Sequence, residues 1–449
     1  MRRGVVAGAV AAILAGCASN PAWRMSDPGG HLEIEARERS GRTCVEVGGR
    51  PEGCFDAVSL DGLAFSGDGR HAAYPARIGR RWVVVRDGTP GVPCDGIGAI
   101  ALNRDGGRIA YAAFDGAAWR VVVDGRAGAP YDSLLAGSLR WSPDGGRIAY
   151  AAERAGRMRV VVDSVESGDF DAVGPVRFSP DGARFAFAGW SARGAALVVD
   201  GRESPPHEAI SEIAWAADGR GLAYAARNGA AWRVFVNGIP EGPYDSVRDL
   251  AFLPPGDGAV GYIAESKDGA RVVAGGNPGP RYDSIQGLVI GERSNRWGYI
   301  ARDGSRADIV LDGVRLASEP WAGNLALGPD GRRFAYVAER GADVFVVDDR
   351  GAHPFDLLIE GSLLFLEDGR AWAGVAGDRR TKRLFLVVEG IPERRDFDWT
   401  EVARLTRWSG PGGSGTARGG DALRSWVAGA AEAWRRGHAS ARGTPSGVR

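Results

Sequence analysis

Lysine is almost absent: only Lys267 and Lys382 carry an ammonium among 449 residues, so the positive charge is nearly all arginine. Basic and acidic residues number 56 each, which leaves the chain neutral. With no basic block there is no electrostatic footprint for nucleic acid. The four cysteines include no CxxC pair, which indicates neither a zinc site nor a redox motif. Five histidines (His31, His71, His207, His353 and His438) lie far apart and read as solvated or turn residues, not as ligands. HExxH, GxSxG and P-loop motifs are all missing. The apolar run at the N-terminus falls short of the roughly 20 residues of a membrane-spanning helix. These absences lead to a non-enzyme with no catalytic residue, no metal and no cofactor. Glycine, by contrast, is abundant at 69 residues, with 24 prolines, which favours many turns over long helices.

Arg2-Arg3 precede an apolar run from Val5 to Leu14, the layout of a secretory signal peptide. Leu14-Ala15-Gly16-Cys17 resembles the bacterial lipobox. The resemblance implies that residues 1–16 are removed and that Cys17 becomes a lipidated first residue holding the chain to a membrane. Residues 17–31 are then a linker behind the anchor. Ala18-Ser19 lack the Asp that marks inner-membrane retention, so the implied place is the outer membrane, facing the periplasm. Export would put the chain where disulfides form. Cys44 and Cys54 flank the turn signal Gly48-Gly49 and could face each other across a hairpin, with Cys54–Cys94 as the competing pair.

The organising feature is a repeat. Apolar triplets recur from Leu63-Ala64-Phe65 to Leu363-Leu364-Phe365, spaced 37, 39, 37, 37, 37, 38, 37 and 38 residues apart. Each triplet leads into a turn such as Asp68-Gly69, Asp144-Gly145 or Asp181-Gly182. A run such as Arg147-Ile148-Ala149-Tyr150-Ala151-Ala152 follows, and then a β-branched run such as Trp119-Arg120-Val121-Val122-Val123. A second turn comes at Asp124-Gly125, Asp200-Gly201, Asn237-Gly238 and Asp312-Gly313. Asp-Gly favours hairpins because glycine accepts positive φ and aspartate bonds its own backbone. The unit closes on an aromatic-Asp pair (Phe55-Asp56, Tyr131-Asp132, Phe170-Asp171) read as entering a short fourth strand.

Four short strands per unit, repeated in tandem, predict an all-β chain of β-propeller blades over residues 32–408. The Ser142-Pro143-Asp144-Gly145 and Ser179-Pro180-Asp181-Gly182 elements resemble the WD-repeat-like blades of TolB-type propellers. Residues 32–62 read as a unit lacking its first strand, which Val402-Ala403-Arg404-Leu405 could supply. That makes about ten blade equivalents, with one ring favoured over two. Beyond the array, residues 409–420 read as a flexible linker, 421–437 as an amphipathic helix and 438–449 as a disordered tail. The helix could pack against the propeller, lie at a membrane interface, or dock a partner.

Because the aspartates recur in nearly every unit, a structural role is expected of them: turn formation, or bonds to the neighbouring blade. A site should break the repeat. The breakers are His207-Glu208, Trp321, and Trp190 with Arg193. Trp82, Trp119 and Trp232 hold equivalent strand positions and read as packing between blades, with a carbohydrate-stacking row as the alternative. A full repeat array with no catalytic constellation, held by a lipid anchor, reads as a non-catalytic interaction module or scaffold with an envelope protein as partner; TolB-type propellers, by the resemblance, bind envelope proteins, but the role of TolB itself is not carried over. The alternative is a glycan- or small-molecule-binding propeller, possibly a hydrolase or lyase, with its site in the central funnel.

Overall fold

The computed structural model describes residues 23–397, apart from positions 28–30, 61, 255–257, 292–293, 295, 360, 367–368, 370, 379–382 and 390, together with Val427. The expected signal peptide, Cys17, Val402–Leu405, the 409–420 linker and the 438–449 tail lie outside the described residues. Two compact units divide after Gly229.

The first unit holds five antiparallel sheets, over residues 23–55, 57–90, 96–127, 133–166 and 172–203, and then the strand pair Ala209–Trp215 and Leu222–Asn228. The second opens on the strand pair Ala231–Val236 and Ile239–Tyr244, followed by sheets over 246–278, 284–319, 321–355 and 357–397. Numbered in chain order, with the two strand pairs holding the sixth place, the nine sheets among the described residues are four-stranded blades of an all-β propeller. The seventh and eighth form although their turns Gly256-Asp257-Gly258 and Glu292-Arg293-Ser294 depart from the Asp-Gly pattern.

The second strand of each sheet is buried on both faces, which is why it reads as a continuous apolar run and not as an alternation. Ala72 to Ala76 are all buried, as are Ala110 to Ala113 and Ile148 to Ala152. Alanine on one face lets the next sheet approach, while Tyr74, Tyr111, Tyr150 or Phe187 fills the other face. Cores form between successive sheets: Val84 and Ala73 meet Cys94 and Tyr111, and Ala110 and Val121 meet Tyr131 and Tyr150.

The first sheet differs. Glu33–Arg39 alternates, with Ile34 and Ala36 buried against the second sheet. The opposite face carries Glu35 paired with Arg24 at 3.2 Å and with Arg37 at 2.8 Å. Its missing strand comes from the N-terminal side: Trp23–Ser26 pairs antiparallel with Glu33–Arg39. The sequence assigned 17–31 to a linker because this four-residue strand is too short to show a period.

Cys44 and Cys54 stand directly opposite in the register of Arg42–Val47 and Arg50–Phe55 and form a disulfide, while Cys94 is a buried free thiol. At the far end of the chain, Val427 is helical and wholly buried among Leu366, Ala373, Leu384 and Leu386 of the tenth sheet. The rest of 421–437 lies outside the described residues.

One boundary differs from the sequence reading. The aromatic-Asp pair does not open the fourth strand: Phe55, Tyr244 and Phe355 end it, Tyr131 and Phe170 come after it, and the aspartate leads into the first strand of the next sheet. Arg126–Ala127 is the fourth strand, then come Tyr131-Asp132, then Ser133–Leu134. The apolar triplet is the second half of a first strand interrupted by a bulge or loop, so apolar continuity alone misplaces the unit boundary.

Candidate functional site

The residues that recur in most blades are occupied in building the joints between blades. The aromatic of each pair meets the aromatic on the second strand of the following sheet: Phe55 with Tyr74 at 6.0 Å, Tyr131 with Tyr150 at 6.0 Å, Phe170 with Phe187 at 5.9 Å and Tyr282 with Tyr299 at 6.2 Å. All four are edge-to-face, the arrangement the ring quadrupole favours. The adjoining aspartate caps that next sheet. The Asp132 N–H donates to Glu153 O at 2.9 Å, and its Oδ2 accepts the Ala155 N–H at 2.7 Å across the following hairpin. Asp56 does the same with Arg77 O and the Gly79 N–H, and Asp283 with Arg302 O and the Gly304 N–H.

An arginine clamp runs along the turns, a device sequence reading missed. Arg147 Nε donates to Asp163 Oδ2 at 2.6 Å, an Nη reaches Ala183 O of the next sheet at 2.8 Å, and the guanidinium stands 5.3 Å from the Phe185 ring. Arg108 and Arg184 repeat this with Asp124 and Asp200, over Trp141 and Trp215. The signal was available in the arginine that follows each Ser-Pro-Asp-Gly or Asp-Gly-Gly turn. The aspartates it meets have positive φ, with Asp124 at 48° and Gly125 at 81°, the backbone of a type I′ hairpin.

Of the repeat-breaking residues, His207-Glu208 prove to be substitutes within these joints. His207 takes the aromatic's place, buried 3.5 Å from Tyr224 Oη and 3.1 Å from the Asn228 amide nitrogen. Burial pushes its imidazole below the ordinary histidine value, against the Asn228 contact. Glu208 caps through its N–H to Arg227 O, as the aspartates do. Trp321 is half-buried against the core shared by the ninth and tenth sheets, with Gly323 making room for its ring. Trp190 opens no site with Arg193, which is exposed beside Glu203. Trp82, Trp119 and Trp232 face Cys94, Tyr131 and Tyr244 across their sheets.

Two buried polar clusters are also internally satisfied. Tyr74 Oη donates to Glu52 at 2.9 Å, and burial raises that carboxyl above its ordinary value. Arg333 binds Asp348, Asp349 and Glu389, while Trp372 Nε1 donates to Asp348 at 2.9 Å. Among the described residues no group of three or more His, Cys, Asp or Glu side chains could hold a metal ion.

What does break the repeat is a cavity of about 690 Å³ in the first unit. The second and fourth sheets carry two extra residues inside their first strands. Asp56 precedes Leu63 by 7 and Asp132 precedes Leu139 by 7, whereas Asp95 precedes Ile100 by 5 and Asp171 precedes Val176 by 5. The extra residues form small loops, closed by Leu63 N–H to Leu60 O at 3.1 Å and Ser138 N–H to Leu135 O at 3.1 Å. Between them lies the shorter first strand of the third sheet, Gly96–Leu102, and the cavity spans all three sheets. Trp82, Trp119, Pro75, Ile97, Leu135 and Leu139 supply apolar wall, and none of the described lining residues is charged. A second cavity, of about 450 Å³, contains Arg108 and Asp124, which are already paired at 2.9 Å.

No family model matches this chain, and no curated protein does. Among solved structures, a eukaryotic initiation factor aligns at TM-score 0.42 and 13% identity, over 73% of this chain and 96% of that one. TolB from Acinetobacter baumannii aligns at 0.24 and 14%, over 49% and 63%. The β-propeller domain of the Trilobed protease from Pyrococcus furiosus aligns at 0.28 and 12%, over 57% and 94%. The assignment to propeller blades rests on the four-stranded sheets themselves.

Proposed function

We propose that this chain is a membrane-anchored, non-catalytic propeller serving as a protein-interaction module in the bacterial cell envelope. In this reading Cys17 carries the lipid, the outer membrane holds the anchor, and the blades face the periplasm. The lipobox-like Leu14-Ala15-Gly16-Cys17 supports export, and the Cys44–Cys54 disulfide suits an oxidising compartment.

One observation carries the interaction role. In the first unit, the fourth strands of the second to fifth sheets are two residues long, from Thr89–Pro90 to Arg202–Glu203. In the second unit Ile239–Tyr244 and Val314–Glu319 run six residues each at the edges of their sheets. Ile239 is 70% exposed and Val314 69%, and Leu316, two residues beyond Val314 on the same strand, is 46% exposed. An edge strand with open backbone groups and outward apolar side chains is a template for another chain, and proteins ordinarily blunt such edges with charge or by keeping them short.

The test places a photo-crosslinking residue at Ile239 or Val314 in native cells and identifies adducts by mass spectrometry. One dominant envelope protein, lost on Ile239→Asp with Val314→Asp, is the expected result. Adducts as diverse as those from an exposed polar position such as Arg193 would overturn the interaction role. Recovery of Cys17→Ser in the membrane fraction at wild-type level would overturn the anchor.

A further inference from the structure

We propose that the cavity between the inserted loops of the second and fourth sheets is a binding site for an uncharged, largely hydrocarbon small molecule. This goes beyond the interaction role and does not depend on it.

Three observations lead there. First, the site is built by departures from the repeat: Ser59 and Gly62 of one inserted loop and residues 135–139 of the other stand on either side of a sheet that lacks the insertion. The tenth sheet carries the same insertion, with Asp356 preceding Leu363 by 7, but the third and fifth sheets do not, so packing common to all blades does not require it. Second, its volume of about 690 Å³ falls within the roughly 300–1,000 Å³ of small-molecule sites. Third, its chemistry is one-sided. With no charge among the described lining residues, a phosphate, carboxylate or ammonium placed against them would be desolvated without a counter-charge. A sugar would need hydroxyl partners, and the serines offer little. Ser133 Oγ donates to Glu153 at 2.7 Å; Ser138 Oγ donates to Leu135 O at 2.6 Å and accepts the Ala151 N–H at 3.0 Å. What remains is indole and aliphatic surface. Trp119 is fixed by Phe114, 5.3 Å away, and by Gly98, where a Cβ would come within 3.4 Å of its ring. The apolar wall is thus preformed and needs no reorganisation to receive a hydrocarbon chain or ring.

The probe is N-phenyl-1-naphthylamine, neutral and fluorescent only in apolar surroundings, titrated into the mature chain. One equivalent binding saturably is expected, displaced by dodecanol and untouched by excess maltose. Ala136 and Leu135 are exposed on the fourth-sheet loop, so changes there leave the core intact. Ala136→Trp, which fills the space, and Leu135→Arg, which puts a charge in it, should each weaken binding at least tenfold, with circular dichroism unchanged. Val165→Thr, an exposed apolar position that does not line the cavity, should bind as wild type. No saturable binding, equal binding by wild type and both loop variants, or displacement by maltose would each overturn the proposal.

Discussion

Replacing Phe170 by alanine tests whether the aromatic pairs join the blades. The ring is 3% exposed and meets Phe187 at 5.9 Å with the planes at 89°. Truncating a buried aromatic to alanine costs about 3–5 kcal/mol, of which the ring–ring geometry contributes about 0.5–1.5. The upper half of that range is expected here, because the hole cannot close cheaply. Gly189 lies beneath the ring, where a Cβ would sit only 2.5 Å from Phe170 Cδ1, so no side chain on that side can relax into the space. The effect should also be local, since stability in a repeat array is mostly a sum of units and nearest-neighbour interfaces. The assay is urea unfolding combined with hydrogen exchange read by mass spectrometry. Faster exchange is expected in Arg157–Val162 and Phe185–Ser191, the strands flanking the ring, with the first sheet unchanged. Phe170→Leu should lose much less. A cost below about 1 kcal/mol, or an even rise in exchange across the first unit, would refute the joint.

Further outcomes follow from other contacts. His207, its folded pKa lowered by burial, contributes stability that is complete above the unfolded value of about 6.5 and is lost as pH falls below it. His207→Tyr, which restores the repeat's aromatic, should remove that part of the slope in urea midpoints between pH 7.5 and 5.5; an identical slope would count against the buried neutral imidazole. Arg147→Met should cost about 1 kcal/mol, discounted for an arginine 29% exposed, and the cost should shrink with added salt; Arg193→Met, on an 80% exposed side chain, should cost nothing measurable. The Cys44–Cys54 bridge closes a separation of 10 residues, for which chain entropy gives about 2.7 kcal/mol at 25 °C. Cys44→Ser with Cys54→Ser should lose roughly that amount, and dithiothreitol should bring wild type down to the variant; a reductant-independent gap would mean the serines act by another route.

The sequence by itself determined the periodic part of this protein. A spacing of 37 to 39 residues, two classes of Asp-Gly turn and small-aromatic second strands have one solution, because a four-stranded sheet apolar on both faces must be covered by its neighbours. The structural role expected of the repeated aspartates follows from the same logic, and the aspartates do cap neighbouring sheets. Tertiary structure decided whatever depends on non-local partners. Trp23–Ser26 becomes a strand only because Glu33–Arg39 offers an open edge, and four residues carry no period of their own. His207 is exceptional in sequence and ordinary in space, because the pocket it fills is the one that aromatics fill elsewhere. The cavity is the converse. Its insertions add only two residues to a first strand, a change that alters no motif. The space appears only when the second, third and fourth sheets stack and their unequal loops stand side by side, since a void belongs to the gap between surfaces and not to any one segment.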